Sequence, residues 1–283
     1  MNVERTFATT ADRVRLSLRR YEAVGPRRAV LLCTHAMMAR GAYFERRFAP
    51  HLAARGIEVY VLDWRGHGES VPPSPRRERW GFDDYVEFDL PAAVGAVCDR
   101  AGIAAGELCY LGHSLGGLVG LAGIGTGVVP APRLLTLWAT SVWLPGPTGP
   151  GSRRAIMAIY RAATRPLGFA PIRALRLGTD DESRGYVEDL TGWAASGRFT
   201  SRTGIDYLEA AASITAPAWA VTGAGDRLSS VADARAITAR LPACALRVVG
   251  RAHGDAIDAD HFTLFTAAAL APLWDELSER LVA

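Results

Sequence analysis

Three observations predict an α/β fold in which a mostly parallel sheet is flanked by helices on both faces. The runs Ala29-Val30-Leu31-Leu32-Cys33 and Glu58-Val59-Tyr60-Val61-Leu62 are apolar almost throughout, as strands covered on both faces must be. Such runs alternate with segments whose apolar residues recur at helical spacing, the order of β-α-β units. Of the 283 residues, 49% are hydrophobic, enough for one large α/β domain with an inserted subdomain.

The elements follow in order. Val14 to Tyr21 alternates Val14, Leu16 and Leu18 with Arg13, Arg15, Ser17 and Arg19, the pattern of a half-exposed antiparallel edge strand. After the Ala29–Cys33 strand, Tyr43 to Arg55 brings Phe44, Phe48 and Leu52 to one helix face. The Glu58–Leu62 strand is followed by a helix over Phe82 to Ala101, a strand at Leu108 to Leu111 and a Gly-rich helix. Strands at Leu134–Trp138 and Ala218–Val221, a helix over Val231 to Leu241, a strand at Ala245–Val249 and a closing helix near Pro272 to Leu281 complete the series. Residues 145–205 break it. They begin with Pro145-Gly146-Pro147-Thr148-Gly149-Pro150-Gly151 and turn helical at Arg153 to Ala163 and Pro171 to Leu177, with no strand until Ala218. An insertion of this length is expected to be a lid.

Composition excludes several classes of function. No stretch approaches the roughly 18 consecutive apolar residues of a membrane span. The opening Met1-Asn2-Val3-Glu4-Arg5 lacks the charged-then-apolar order of a secretion signal, so a cytoplasmic location is expected. All 32 basic residues are arginine and the net charge is +3; their scatter gives no stripe for nucleic acid. Cys33, Cys98, Cys109 and Cys244 lie far apart in apolar surroundings, as core thiols of a reducing compartment would. No His or Cys spacing suggests a metal, and no cofactor is expected.

The strongest chemical signal is Gly112-His113-Ser114-Leu115-Gly116, set between an apolar strand and a Gly-rich helix start. A chain leaving a strand and entering a helix within one residue forces the serine into a strained conformation and presents its hydroxyl at a helix N-terminus. Glycines flank it because a Cβ would collide with the neighbouring strand and helix. Ser114 is therefore the candidate nucleophile, and it needs a base oriented by an acid. Asp226 ends Val221-Thr222-Gly223-Ala224-Gly225-Asp226, just past a strand's C-terminal end, where open α/β sheets place their chemistry. The bland alternative for it is an Asx-turn or N-cap.

Two histidines follow the last strand. His261, in Asp258-Ala259-Asp260-His261-Phe262, is preferred because one turn and one helix fit between it and the C-terminus. His253, in Gly250-Arg251-Ala252-His253-Gly254, is the alternative base. An oxyanion hole would use the N–H of Leu115 and one from the loop Thr34-His35-Ala36-Met37-Met38, where Met37 is the chosen donor. His35, Met38, Trp138, Trp143, Met157 and Tyr160 are the expected pocket residues, with Ile156, Ile159, Leu167, Phe169 and Trp193 also on the lid. Lid arginines Arg153, Arg154, Arg161, Arg165, Arg173 and Arg176 could attract an anionic acyl carrier, although solvated helix faces explain them as well. His67 and His113 receive structural roles, His113 pointing away from the serine.

Together these residues resemble the α/β-hydrolase superfamily over nearly the whole chain. The resemblance rests on Thr34-His35-Ala36-Met37, Asp63-Trp64-Arg65-Gly66-His67-Gly68-Glu69-Ser70, Gly112-His113-Ser114-Leu115-Gly116-Gly117, Gly223-Ala224-Gly225-Asp226 and Asp260-His261-Phe262. It implies the order nucleophile, acid, histidine, which Ser114, Asp226 and His261 obey. It also implies a helical cap at 145–205 between strands six and seven, on a core of 1–144 and 206–283. Ala36 stands where the family usually has glycine, and the serine nucleophile separates this chain from members that use aspartate. The implied activity is hydrolysis of a small to medium apolar carboxylic ester or lactone through an acyl-enzyme. A thioesterase or acyltransferase acting on a CoA- or carrier-linked acyl group is the alternative, and a non-catalytic binding protein the third.

Overall fold

A computed structural model describes residues 3–72, 74–144 and 151–283, with side chains described except at Arg77 and residues 151–156. Eight strands form one sheet: β1 (Val3–Thr9), β2 (Arg15–Tyr21), β3 (Ala29–Thr34), β4 (Ile57–Leu62), β5 (Cys109–His113), β6 (Leu134–Trp138), β7 (Ala218–Gly223) and β8 (Cys244–Val249). Their spatial order is β1-β2-β4-β3-β5-β6-β7-β8. The β1–β2 and β2–β4 pairs are antiparallel and the remaining pairs parallel. Every residue of β3, β4, β5, β6 and β7 is buried, as the continuous apolar runs require.

Alternation along the strands feeds two cores. Val30 and Leu32 of β3 join one cluster with Leu90, Val97, Leu118 and Leu121; Leu31 and Cys33 join the other with Phe44, Phe48, Leu52, Phe265 and Trp274. The first cluster is supplied by α3 (Leu90–Ala101) and α4 (Leu115–Gly125), reached through Phe82–Asp84 and a π-turn over Tyr85–Asp89. That wide turn precedes Pro91, which has no N–H to continue the ladder. The second cluster lies under the short helices α1 (Ala42–Glu45) and α2 (Phe48–Ala53) and the closing helix Ala271–Val282. The single helix expected over Tyr43 to Arg55 is thus two helices that keep Phe44, Phe48 and Leu52 inward.

β2 is not the edge expected from its alternation. β1 covers it, and Ser17 and Arg19 are buried. Burial is tolerable because the Arg19 guanidinium forks onto Asp63 at 2.7 and 2.9 Å and pairs with Glu45 at 2.5 Å. Polar residues at alternate positions can face an ion-pair network as well as water, and the pattern alone does not distinguish the two.

Between β6 and β7 runs a helical insertion. It comprises α5 (Gly151–Leu167), a short antiparallel pair Phe169–Ala170 with Glu182–Ser183, and α6 (Arg184–Ser196), which packs on α5. Pro145 to Pro150, and the side chains of Arg153, Arg154 and Ile156, lie outside the described residues. Pro171 to Leu177 is not the helix its spacing suggests. It is the loop closed by the Phe169–Ala170/Glu182–Ser183 pair, a run of turns with Arg176 at φ 56°. In the span of α6 the sequence marks only Trp193 and no helix. After it, Asp206 caps Tyr207–Ala210, a short helix packed on α4. The helix α7 (Val231–Thr238) follows β7. Among the described residues no helix is long and apolar enough to cross a membrane.

Candidate active site

Ser114 is the residue between β5 and α4, with φ 53° and ψ −111°. A non-glycine residue with positive φ is strained and persists only where its surroundings impose it. The surroundings are specific. The Ser114 N–H donates to the Trp138 carbonyl at 3.0 Å, and the Gly116 N–H donates to the His35 carbonyl at 3.1 Å. A Cβ on Gly112 would lie 2.4 Å from the Gly117 nitrogen, and one on Gly116 would lie 2.5 Å from the Thr34 carbonyl oxygen. Both glycines therefore permit the tight turn that lifts the half-buried serine above the sheet.

Asp226, at the C-terminal end of β7, is 6% exposed, and its two carboxylate oxygens have separate partners. Oδ1 accepts the N–H groups of Leu228 and Ser229 at 2.8 and 2.9 Å. Oδ2 meets His261 Nδ1 at 2.8 Å. The Asx-turn and the acid–histidine pair anticipated as alternatives coexist. The Gly225 N–H donates to the Ala259 carbonyl at 2.9 Å, which draws the loop leading to His261 onto the Asp226 turn. His253 goes elsewhere: it ends the short 3-10 turn Arg251–His253, exposed to solvent, and is not paired with Asp226. With Nδ1 held by the carboxylate, His261 presents Nε2 on the cavity that Ser114 also lines.

Among the described residues, the N–H groups of Leu115 and Met37 meet no protein acceptor. They are free to bind an oxyanion, Leu115 as the first residue of α4 and Met37 on the loop after β3. The loop is tied down around Met37. The Ala36 N–H donates to the Tyr43 hydroxyl at 3.1 Å, and that hydroxyl meets His113 Nδ1 at 2.6 Å. His113 is not remote from the site. Its ring lies 4.6 Å from that of His261, and burial, with His261 and His35 nearby, pushes its pKa well below the usual histidine value. It backs His261 as a neutral ring. No motif marks Tyr43, and its role depends on contacts that only the assembled loops create.

Ser114, Leu115, Met37 and His261 open into one cavity of about 710 Å³. Met38, Trp143, Met157 and Tyr160 line it, as expected, together with Tyr186, Leu190 and Trp193 of α6. Two expected pocket residues do not. His35 is wholly buried below the loop, its Nε2 accepting the Trp64 N–H at 3.0 Å and its Nδ1 donating to the Ala36 carbonyl at 2.7 Å. Burial, with His67 nearby, lowers its pKa to about 3. Trp138 is wholly buried in the second core, stacked on Phe265 at 5.0 Å. Both sit at strand ends near the site, but their side chains point into the protein, a distinction of pleat phase. Among the described residues, no carboxylate lines the cavity and no His/Cys/Asp/Glu cluster is arranged to hold a metal.

The model of the family described as "Serine aminopeptidase, S33" matches residues 25–252, from before β3 to beyond β8. Gastric triacylglycerol lipase of Bos taurus is 30% identical over 94 residues, 31% of this chain and 23% of the lipase. Triacylglycerol lipase 2 of Arabidopsis thaliana is 30% identical over 109 residues, 35% of this chain and 25% of the relative. The chain thus spans about a quarter of the length of the curated relatives it matches. An esterase from Exiguobacterium antarcticum superimposes with a TM-score of 0.67 over 98% of this chain and 99% of its own, at 14% identity. An esterase from Pyrococcus furiosus gives 0.64 over 99% and 89%, at 18% identity. These two likenesses establish a shared fold.

Proposed function

We propose that this chain, which belongs to the Serine aminopeptidase S33 family of the α/β-hydrolase superfamily, is a serine hydrolase that cleaves an apolar carboxylic ester or lactone through an acyl-enzyme. One observation carries the reading: the strained Ser114 and the Asp226-held His261 face the same apolar cavity. Ser114 Oγ attacks the ester carbonyl while His261 Nε2 takes its proton, and Asp226 fixes the tautomer and steadies the imidazolium. The N–H groups of Leu115 and Met37 receive the oxyanion, each such donor contributing about 3–4 kcal/mol to transition-state stabilisation. The protonated His261 then passes its proton to the departing alcohol, and a water activated by the same ring releases the acid. Residues 145–205 serve as the cap, closing Met157, Tyr160 and Trp193 over the acyl group.

The lining favours an ester over a peptide. An aminopeptidase must hold a protonated α-amine, and no carboxylate lines the cavity among the described residues. Among the described residues Arg40 is the fixed cation there, and Asp180 already forks onto it at 2.8 and 2.9 Å. An anionic acyl carrier would find that charge neutralised, which leaves the thioesterase reading second. The test is a series of p-nitrophenyl esters of rising acyl length with one matched thioester, using Ser114→Ala as control. Ester turnover that vanishes in the variant supports the reading. A thioester turned over far faster than its matched ester moves the assignment to the alternative.

A further inference from the structure

We infer that Glu182, on the insertion between β6 and β7, is a positioning residue that holds the oxyanion loop in its donor conformation. The inference rests on Met37 being the second donor of the proposed site. Met38, the next residue, has φ 59°, a left-handed conformation unfavourable for a methionine. The insertion occupies both of its backbone polar groups. The Met38 N–H donates to Glu182 Oε1 at 2.5 Å, and the Met38 carbonyl accepts the Thr179 N–H at 2.8 Å. The other peptide flanking Met37 is pinned from below, where the Ala36 carbonyl accepts His35 Nδ1–H. Its N–H, on the opposite edge of that plane, is thereby turned away from His35. With both neighbouring peptides fixed, the Met37 N–H cannot swing out of the hole. Release of Met38 from Glu182 would let its strained φ relax and carry Met37 with it.

Glu182 is itself locked. It is wholly buried, and Oε1 also meets His67 Nε2 at 3.2 Å. His67 Nδ1 faces the Arg65 carbonyl at 2.9 Å. Both ring nitrogens thus face acceptors, so both must donate, and the ring is an imidazolium paired with the carboxylate. Asp180 adds to the same fastening by accepting the Gly68 N–H at 3.0 Å and forking onto Arg40. Thr179 to Glu182 therefore strap the oxyanion loop to the turn after β4. His67, a turn histidine in the sequence, is the partner that anchors Glu182 at this buried point.

The experiment compares Glu182→Ala and Glu182→Gln with the wild type on p-nitrophenyl butyrate, alongside exchange of the Met38 amide proton. Glutamine keeps an acceptor at Oε1 and is expected to retain kcat within about threefold, whereas alanine should lower kcat at least tenfold, as a displaced oxyanion donor does. KM should stay within about twofold in both, because the interaction is made in the transition state. The Met38 amide should exchange faster in the alanine variant and near the wild-type rate in the glutamine variant. Unchanged kcat in Glu182→Ala overturns the proposal, as does unchanged exchange. If the alanine variant does not fold, Glu182→Asp withdraws the acceptor by one methylene, and wild-type kcat there overturns it equally. If the wild-type protein turns over no ester, the hydrolase reading fails while amide exchange still decides whether Glu182 holds the loop.

Discussion

At the scale of single residues, the geometry around Asp226 separates two histidines that sequence spacing leaves in competition. Both follow β8 within a dozen residues, and both sit among small and acidic neighbours. The close approach of Gly225 to Ala259 decides between them, since it delivers His261 to Asp226 and leaves His253 in the 3-10 turn beyond β8. That approach is a tertiary contact, invisible to spacing. His261→Ala should therefore lower ester turnover by about 10⁴-fold or more, the scale of losing a triad base. His253→Ala should stay within about twofold of wild type, as exposed residues away from the chemistry do. Steady-state kcat on one activated ester checks both. The turns that carry Ser114 and Asp226 were legible because each depends on local chain geometry: a strand-to-helix turn and a turn closed by the acid's own carboxylate. Tyr43 and Glu182 were not, because their partners lie far away in the chain, His113 for the first and Met38 and His67 for the second.

At the scale of elements, the buried strands and the helices after them were readable because a strand covered on both faces has one solution, an unbroken apolar run. The failures came where polar residues are buried by pairing. β2 reads as an edge because Arg19 and Ser17 alternate with Leu16 and Leu18, yet β1 pairs beside it and Asp63 and Glu45 neutralise the buried Arg19. The insertion was legible as an interruption but not in its internal order, since Pro171 to Leu177 has helical spacing and is the loop of a two-residue hairpin. That hairpin places Glu182 against His67, which gives the element a pH signature. Burial opposes the charged ring, but the charge and hydrogen bond of Glu182, with Asp180 behind, outweigh it and raise His67 to about 9. The neutral ring of His35, 5.1 Å away, adds no charge. A histidine whose folded pKa is raised contributes stability fully below its unfolded value of about 6.5, and that contribution fades as pH rises through about 9. The difference in Tm between wild type and His67→Gln should thus narrow steadily from pH 7 to 10. A constant difference would mean that the ring carries no charge in the folded protein.

At the scale of the whole molecule, the candidate site gathers at the C-terminal end of the parallel strands. Met37, Ser114 and Asp226 lie just beyond the C-terminal ends of β3, β5 and β7, and insertion residues Met157, Tyr160 and Trp193 line the cavity that Met37 and Ser114 also line. The same end carries buried neutral histidines beneath the site. Burial is the main cause that takes His35 down to about 3 and His113 well below the usual value. For such depressed groups the sign is opposite to that of His67. Their stabilising contribution is complete above about pH 6.5 and is lost as pH falls towards the folded values, because unfolding allows them to take up protons. The midpoint of urea unfolding should fall between pH 6.5 and 4, and His35→Gln should show a shallower slope than wild type. Parallel slopes would remove His35 from the acid response. The measurement closest to the centre of the proposal is mass spectrometry after labelling with a fluorophosphonate, a reagent that reacts with activated serines. The expected result is one adduct on the peptide containing Ser114, absent in Ser114→Ala and formed far more slowly in His261→Ala. A folded protein that takes up no label, or takes it at another residue, would contradict the assignment of Ser114 as a nucleophile.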